Sequence, residues 1–420
     1  MAVKKVAAVS QRIILHSDLN AFYASVECML DPSLRGKAVA VCGSTDDRHG
    51  IVLAKSELAK KAGVKTGQVT WQARQLCPGL ITVPPQFDQY LKYSRLTRAI
   101  YSRYTDKVEP YGMDECWLDL TGSQIPGSGE ATAHLIRNTV REELGLTVSI
   151  GVSFNKIFAK LGSDMKKPDA VTVIDRDNFR DMIWKLPAND LLYVGRATAK
   201  KLAVRGIFTI GDIAQSQSEY LERLIGKSGL TLWIFANGWD ESRVMPGDYH
   251  VPAKSVGHGT TCCRDLRDYD EVWPVLLELT QDIGHKLRVY GLSAQCVQLA
   301  VKDNTLSTRQ FQAQLAYPSR SPMEMAEQAG ELFKKNYCWK NQVRALTVRA
   351  IDLVPDSKAQ QLPLFDDLDN RAKREKADDA IEAIRSRFGK RAIQNANLLV
   401  DLKMPGQSLS EIILPGHMYR

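Results

Sequence analysis

Two neighbouring acids, Asp114 and Glu115, are the residues of this chain best suited to chemistry. They follow Gly112 and precede an alternating run of aromatic and apolar residues, a pattern typical of a β-hairpin with a carboxylate pair at its bend. Because adjacent strand residues point to opposite faces, two neighbouring acids can share a target only at a bend or a strand edge. Carboxylate oxygens in such a position suit Mg²⁺, which is held by few protein carboxylates together with substrate phosphates.

A third acid, Asp18, ends a short apolar strand predicted over residues 12–18, and a helix is predicted directly after it, over 21–29. Only a folded sheet can bring Asp18 close to Asp114 and Glu115. Three carboxylates at converging strand ends predict a two-metal site for in-line phosphoryl transfer. Taken singly, each acid is more typical of a solvated turn, so the prediction depends on the rest of the sequence.

The elements that must position these acids alternate along the first 174 residues. Strands are predicted over 38–42, 147–152 and 170–174, and helices over 53–62, 90–104, 131–144 and 155–163. This order indicates an α+β sheet with helices on one face. A second, separate series follows, with strands predicted over 295–301, 310–315 and 344–353 and helices over 272–287 and 323–334; a last helix is predicted over 371–388.

Length and composition limit the classes of protein to which the chain can belong. A chain of 420 residues is too long for one ordinary core and predicts several domains. The net charge of +8 is compatible with a nucleic-acid partner but is too modest to establish one. We predict a cytoplasmic protein without a membrane partner, because no apolar run has the length of a membrane span and no signal peptide is recognisable. The 8 cysteines contain no Cys-x-x-Cys pair and are predicted to be reduced thiols.

Three long motifs occur in order, at residues 16–27, 111–121 and 149–168. Together they resemble the Y-family (lesion-bypass) DNA polymerases of bacteria, and the resemblance extends over about residues 10–355. It implies a right-hand polymerase with a ferredoxin-like palm, small fingers, a helical thumb containing a helix-hairpin-helix, and a separate α/β little-finger domain that binds DNA. The implied boundaries are 1–21 and 86–174 for the palm, 22–85 for the fingers, 175–245 for the thumb, 254–356 for the little finger, and 357–420 for a linker, a clamp-binding motif and a helical tail.

The resemblance implies which residues catalyse the reaction. Asp18, Asp114 and Glu115 match the catalytic carboxylates that hold two Mg²⁺ ions (with Mn²⁺ as a substitute), and the backbone carbonyl of Leu19 matches a further metal ligand. Asn20 stands where many relatives carry another Asp and is excluded from the ligand set. The implied reaction is template-directed, low-fidelity translesion synthesis, which adds deoxynucleotides to a primer 3′ end without proofreading.

The same resemblance implies nucleotide-binding residues at Phe22, Tyr23, Lys60 and Lys167. Tyr23 matches the steric gate, the ring that excludes a ribose 2′-hydroxyl. Adjacent aromatic residues are also typical of core packing, and Phe22 is assigned partly to that role. Lys160 is either a further triphosphate contact or a solvated helix lysine.

Two places depart from the family pattern. Glu57 and Lys60 stand near positions where polymerase-IV-like members carry Tyr and Arg, so the segment is more similar to the UmuC-like branch. Residues 191–207 resemble a helix-hairpin-helix, which offers backbone N–H groups to a DNA phosphate, but Tyr193 replaces its usual first glycine. A plain helical turn is an equally good interpretation of that segment alone.

The implied partners are primer–template DNA, deoxynucleoside triphosphates and the sliding clamp (β subunit), and the protein is predicted to be a monomer. Residues 361–365 resemble the short clamp-binding peptide of bacterial polymerases, with Gln361, Leu362, Leu364 and Phe365 as contacts. A nucleotidyl cyclase and a non-catalytic scaffold are the competing functions. A cyclase has no need of residues 175–356, and a scaffold has no need of three mutually repelling carboxylates.

Overall fold

The computed structural model describes residues 12–44, 48, 50–123, 127–249, 251–357 and 368–405. Their contacts divide the chain into two units. The described part of the first unit comprises residues up to 42 and 52–249, and that of the second comprises 251–405 together with the short segment 43–51. The mixed sheets and helices of the two units confirm the predicted α+β class.

The first part of the first unit alternates strands and helices. Its elements are β1 (Ile14–Leu19), α1 (Phe22–Leu30), β2 (Val39–Cys42), β3 (Val52–Lys55), α2 (Glu57–Lys61), α3 (Thr70–Leu76), β4 (Ile81–Val83), α4 (Phe87–Tyr101), β5 (Val108–Pro110), β6 (Glu115–Asp119), α5 (Gly129–Leu144), β7 (Val148–Ser153), α6 (Lys156–Met165) and β8 (Val171–Ile174).

A five-stranded sheet in the order β5-β6-β1-β7-β8 positions the acidic residues. β1 lies in its middle, antiparallel to both β6 and β7, and all of its residues are buried. Helix α6 crosses β7 at close range: a Cβ on Gly151 would lie 1.9 Å from the backbone oxygen of Ala159. Only glycine permits that approach, and it brings α6 against the sheet.

A three-stranded sheet in the order β3-β2-β4 lies within residues 39–83. The helix predicted over 53–62 is wrong in its first part, because Val52–Lys55 forms β3 and pairs antiparallel with β2. Ser56 separates the two elements: its hydroxyl accepts the N–H of Val39 and caps α2 by accepting the N–H of Ala59. The apolar spacing alone does not reveal this division.

The rest of the first unit is helical and consists of α7 (Phe179–Ile183), α8 (Arg196–Ala203), α9 (Ile210–Gln215), α10 (Ser218–Ile225) and α11 (Lys227–Ala236). Tyr193, which stands where the helix-hairpin-helix usually has glycine, adopts the left-handed conformation with φ of 72°. Glycine favours this region, and a bulky residue there is uncommon. Tyr193 therefore adopts the backbone conformation that glycine favours.

The second unit consists of β9 (Ser255–Leu266), α12 (Tyr269–Tyr290), β10 (Leu292–Asp303), β11 (Thr308–Ser319), α13 (Pro322–Asn336), β12 (Val343–Pro355) and α14 (Leu368–Phe388). Its sheet has the order β11-β10-β12-β9, and its core is formed with α12 and α13. The sequence did not predict β9, because Gly257 and Gly259 lie in this segment and glycine is depleted in strands.

Helix α14 packs onto α12 through polar contacts. Arg288 Nε donates to Asp379 Oδ1 at 3.1 Å, and Arg385 donates to Gln281 at 2.7 Å. The predicted tail helix is thus present, but polar contacts hold it, and the predicted apolar residue Phe388 is 70% exposed. No helix in the described part of the chain is long and apolar enough to cross a membrane.

Candidate active site

The sheet brings the three predicted carboxylates together. Asp18 lies directly opposite Glu115 in the antiparallel register of β1 and β6, so both side chains are on the same face. Asp114 lies just before β6, and its carbonyl accepts the N–H of Leu19 at 3.0 Å. Gly112, with φ of 107°, forms the turn before it. The neighbouring acids Asp114 and Glu115 can therefore reach one site, because Asp114 lies outside the regular strand.

Burial and mutual charge repulsion both shift the pKa values of these acids. Burial and the charges of Asp18 and Glu115 raise the pKa of Asp114 to about 7. Burial, opposed by Lys167 and assisted by Glu115, raises the pKa of Asp18 to about 6. Although burial acts in the other direction, the contacts of Glu115 with His16 and Lys160 hold its pKa down to about 2. Two of the three carboxyl groups thus hold their negative charge at an energetic disadvantage.

Two lysines lie against the carboxylates. Lys167 Nζ lies 2.8 Å from Asp18 Oδ2 and 2.8 Å from Asp164 Oδ1. Lys160 Nζ donates to Glu115 and lies 3.9 Å from Asp164 Oδ2. The proposed triphosphate ligand Lys167 is therefore next to the acids, and Lys160, left open by the sequence, is an ion-pair partner rather than a solvated lysine.

His16 is a site residue that the sequence analysis missed. Its imidazole is fully buried, with Nε2 3.2 Å from Glu115 Oε2 and Nδ1 2.8 Å from Ser163 Oγ. Burial lowers the pKa of His16, which favours the neutral ring. The spacing of His16 and Asp18 on one strand was the available indication, since residues i and i+2 share a face.

The carboxylate set fits divalent cations. Among the described residues, no three His, Cys, Asp or Glu side chains are arranged to hold an ion in this conformation, in which Lys167 and Lys160 lie against Asp18 and Glu115. The donors are nevertheless hard oxygen atoms, and a bound cation would favour the charged forms of Asp18 and Asp114, which burial and neighbouring acids disfavour. Asn20 is not a candidate ligand, because its amide donates to Ser149 at 2.9 Å and accepts the N–H of Asp169 at 2.8 Å.

Tyr23 and Phe22 begin helix α1, whose N-terminus has no side-chain cap. Phe22 is buried, whereas Tyr23 is partly exposed and its hydroxyl donates to Met113 Sδ at 3.4 Å. Burial raises the pKa of Tyr23 to about 12. The tyrosine ring thus lies beside the turn that carries Asp114.

Lys60 is the last of the predicted nucleotide-binding residues. Lys60 is exposed on α2, where its Nζ lies 3.7 Å from Glu57 Oε2. The predicted clamp contacts Gln361, Leu362, Leu364 and Phe365 lie outside the described residues.

Comparisons with known proteins agree on one family. A family profile described as impB/mucB/samB matches residues 17–164, and the profile of the C-terminal domain of that family matches 253–364. DNA polymerase IV of Acetivibrio thermocellus is 49% identical over 392 residues, which are 93% of this chain and 98% of the relative. DNA polymerase IV 1 of Bacillus subtilis is 37% identical over 389 residues, covering 92% of this chain and 93% of the relative. A solved Y-family DNA polymerase chimera, Dbh-Dpo4(243-245)-Dbh, is 25% identical with a TM-score of 0.72, over 81% of this chain and 99% of the chimera.

Proposed function

The chain belongs to the impB/mucB/samB family and is a DNA-directed DNA polymerase of the Y family, and from this premise we propose that it carries out low-fidelity translesion synthesis without proofreading. The observation that supports a catalytic rather than a scaffolding role is the repulsive cluster of Asp18, Asp114 and Glu115. A scaffold gains nothing from acids whose charges raise one another's pKa.

We propose that Asp18, Asp114 and Glu115, with the carbonyl of Leu19, hold two Mg²⁺ ions, for which Mn²⁺ is a substitute. When bound, such ions neutralise the triphosphate and lower the pKa of the primer 3′-hydroxyl. The protein contributes a fixed strand register that aligns Asp18 with Glu115. The contacts of His16 and Lys160 with Glu115 keep that carboxylate ionised.

The lysines of α6 and of the residues after it have two proposed roles. Before nucleotide binds, Lys160 and Lys167 balance part of the acidic charge. Once the carboxylates are occupied, we propose that Lys167 turns to the triphosphate, since an ammonium group on a flexible stem acts as a movable point charge. Phe22 and Tyr23 contribute the uncapped start of α1, and Tyr23 is the proposed steric gate. Lys60 stays a proposed triphosphate contact on the exposed α2.

The proposed division of the chain follows the family. Residues 1–21 and 86–174 are the palm, 22–85 the fingers, 175–245 the thumb, 254–356 the little finger, and 357–420 the linker, motif and tail. The N-terminus of α8 has no side-chain cap and follows the left-handed Tyr193, which suits a sequence-independent phosphate contact of the thumb.

Primer extension tests the function. With an undamaged template and with one that contains an abasic site, we expect the purified protein to add deoxynucleotides in Mg²⁺ and none in excess chelator. A primer with a mismatched 3′ end should not be shortened in the absence of nucleotides. Binding of primer–template without extension would support the scaffold, and release of pyrophosphate from free triphosphate without primer growth would support the cyclase.

We further propose that residues 361–365 bind the sliding clamp. Pro363 favours an extended backbone that can lay Leu362, Leu364 and Phe365 into a groove, with Gln361 at its entrance. A tether would raise the local concentration of an enzyme whose charge of +8 gives only modest attraction to DNA.

The clamp proposal predicts a selective loss. Leu364→Ala combined with Phe365→Ala should leave extension by the free enzyme unchanged and remove its stimulation by loaded clamp. Leu399→Ala combined with Val400→Ala is a matched control, because these apolar residues are 74% and 55% exposed in the tail. Equal stimulation of the motif variant and the wild type would contradict the proposal.

A further inference from the structure

The ring of Tyr23 is held by a second tyrosine. Tyr90 of α4 is fully buried and stacks on Tyr23, with ring centroids 4.2 Å apart and planes 8° from parallel. Phe87 lies edge-on to Tyr23 at 5.9 Å and to Tyr90 at 5.7 Å. The face of Tyr23 is therefore covered by one ring and its edge by another, which restricts the rotamers that it can adopt.

Tyr90 is in turn held by a buried acid. Glu27 is only 4% exposed, and its Oε1 accepts the hydroxyl of Tyr90 while its Oε2 accepts Gln86 Nε2 at 2.7 Å. Both of these donors are neutral. Burying a carboxylate whose hydrogen-bond donors are both neutral costs more free energy than packing an apolar side chain in the same place.

The helical spacing explains what this arrangement connects. Glu27 lies four residues after Tyr23 on α1, so the two side chains are neighbours on one helix face. Tyr90 spans that distance, because its ring contacts Tyr23 and its hydroxyl contacts Glu27. One side chain of α4 is thus fixed at two points on α1, and it sets how far the Tyr23 ring stands from α4.

We infer that Glu27 and Tyr90 are positioning residues for sugar discrimination: Glu27 holds Tyr90, and Tyr90 holds the Tyr23 ring where it excludes the ribose 2′-hydroxyl. This inference rests on the proposed role of Tyr23 as the steric gate. If Tyr90 were removed, the ring of Tyr23 would gain space on the side of α4 and would retreat from the sugar. Ribonucleotides would then enter although Tyr23 itself is unchanged.

The experiment compares kcat/KM for one deoxynucleotide and its ribonucleotide on a single primer–template. Tyr23→Ala should lower the discrimination ratio most. Tyr90→Leu should lower it by at least roughly tenfold. Tyr90→Phe removes only the hydrogen bond to Glu27, and Glu27→Met removes that bond together with the one from Gln86, so both should lower the ratio less than Tyr90→Leu. Tyr104→Phe is the matched control, because it deletes a tyrosine hydroxyl that lies 3.0 Å from Thr139 Oγ1 beyond the C-terminal end of α4, and its ratio should not change.

A double variant separates positioning from general damage. If Tyr90 acts through Tyr23, Tyr90→Leu should change the ratio no further in a Tyr23→Ala background. Additive losses would overturn the inference, and so would a normal ratio in Tyr90→Leu, Tyr90→Phe and Glu27→Met beside a lowered ratio in Tyr23→Ala. An unchanged ratio in Tyr23→Ala would instead contradict the gate on which the inference rests. Should Tyr90→Leu fail to fold, Tyr90→Phe and Glu27→Met decide the question.

Discussion

The carboxylate cluster of the first unit and the ion-pair cluster on α12 of the second unit bury similar groups but balance their charges differently. In the cluster on α12, Glu278 Oε1 and Asp282 Oδ1 lie 2.7 Å and 2.6 Å from Nζ of Lys390, which follows α14. His258 Nδ1 lies 2.6 Å from the other oxygen of Asp282. Although burial opposes ionisation, His258 and Lys390 hold the pKa of Asp282 below its usual range.

In the first unit the pKa shifts run in the opposite direction. Asp18 and Asp114 have raised pKa values despite two nearby lysines, because burial disfavours their charged forms and the charges of the neighbouring acids add to that effect. A cluster whose charges are compensated stabilises the fold, whereas one that retains repulsion is prepared to accept a cation. The comparison indicates that burial of acids does not by itself point to a functional site. Negative charge that stays uncompensated does.

The largest expected effect is on catalysis and concerns only the first cluster. Asp18→Asn or Asp114→Asn should lower nucleotide addition at least about 100-fold to 1000-fold, because charge is lost where the transition state needs it. Asp282→Asn should leave the rate at low temperature intact and lower the melting temperature. Single-turnover primer extension measures the rate of nucleotide addition, and thermal melting measures the melting temperature. Near-normal extension by Asp18→Asn or Asp114→Asn would remove the basis of the comparison.

The next effect is on stability and concerns the second cluster. Lys390→Met removes the cation that lies against both Glu278 and Asp282. We expect it to lower the free energy of unfolding by about 3 kcal/mol, because buried carboxylates then lose a charged partner. Lys376→Met, on the exposed face of α14, is the control and should change it little. Urea denaturation of the two variants provides the measurement, and equal midpoints would show that the α12 cluster is not a stabilising one.

The smallest effect is a difference in pH dependence of the metal-free protein. The pKa of Asp114 is raised to about 7, so the folded state prefers its protonated form, and its contribution to stability is lost as pH rises from about 4 through 7. The pKa of Asp282 is lowered, so its contribution is present above the ordinary range of an aspartate and is lost on acidification. In chelator at pH 8, Asp114→Asn should therefore melt roughly 2–4 °C higher than wild type, and Asp282→Asn lower. A lower melting temperature for both would show that Asp114 is compensated as Asp282 is.

Local patterns predicted most of the elements but not all of their types. The run up to Asp18 is a short apolar strand followed by a helix, and the structure has β1 and α1 there. The prediction of one helix over 53–62 was wrong because a four-residue strand joined to a five-residue helix has the same apolar spacing as one helix. Strand β9 was not predicted because its conformation depends on pairing with β12, which lies far along the chain.

The sequence by itself determined the chemistry of the site, since residue type alone makes Asp18, Asp114 and Glu115 hard oxygen donors and Tyr23 a bulky ring at a helix start. Only the tertiary structure decided the charge state of those acids and the position of that ring. Both depend on partners from other elements, Lys160 and Lys167 for the acids and Tyr90 for the ring. Packing energies fall off within a few ångströms and charge interactions are strongest at ion-pair distances, and no local sequence pattern records which distant residues lie that close.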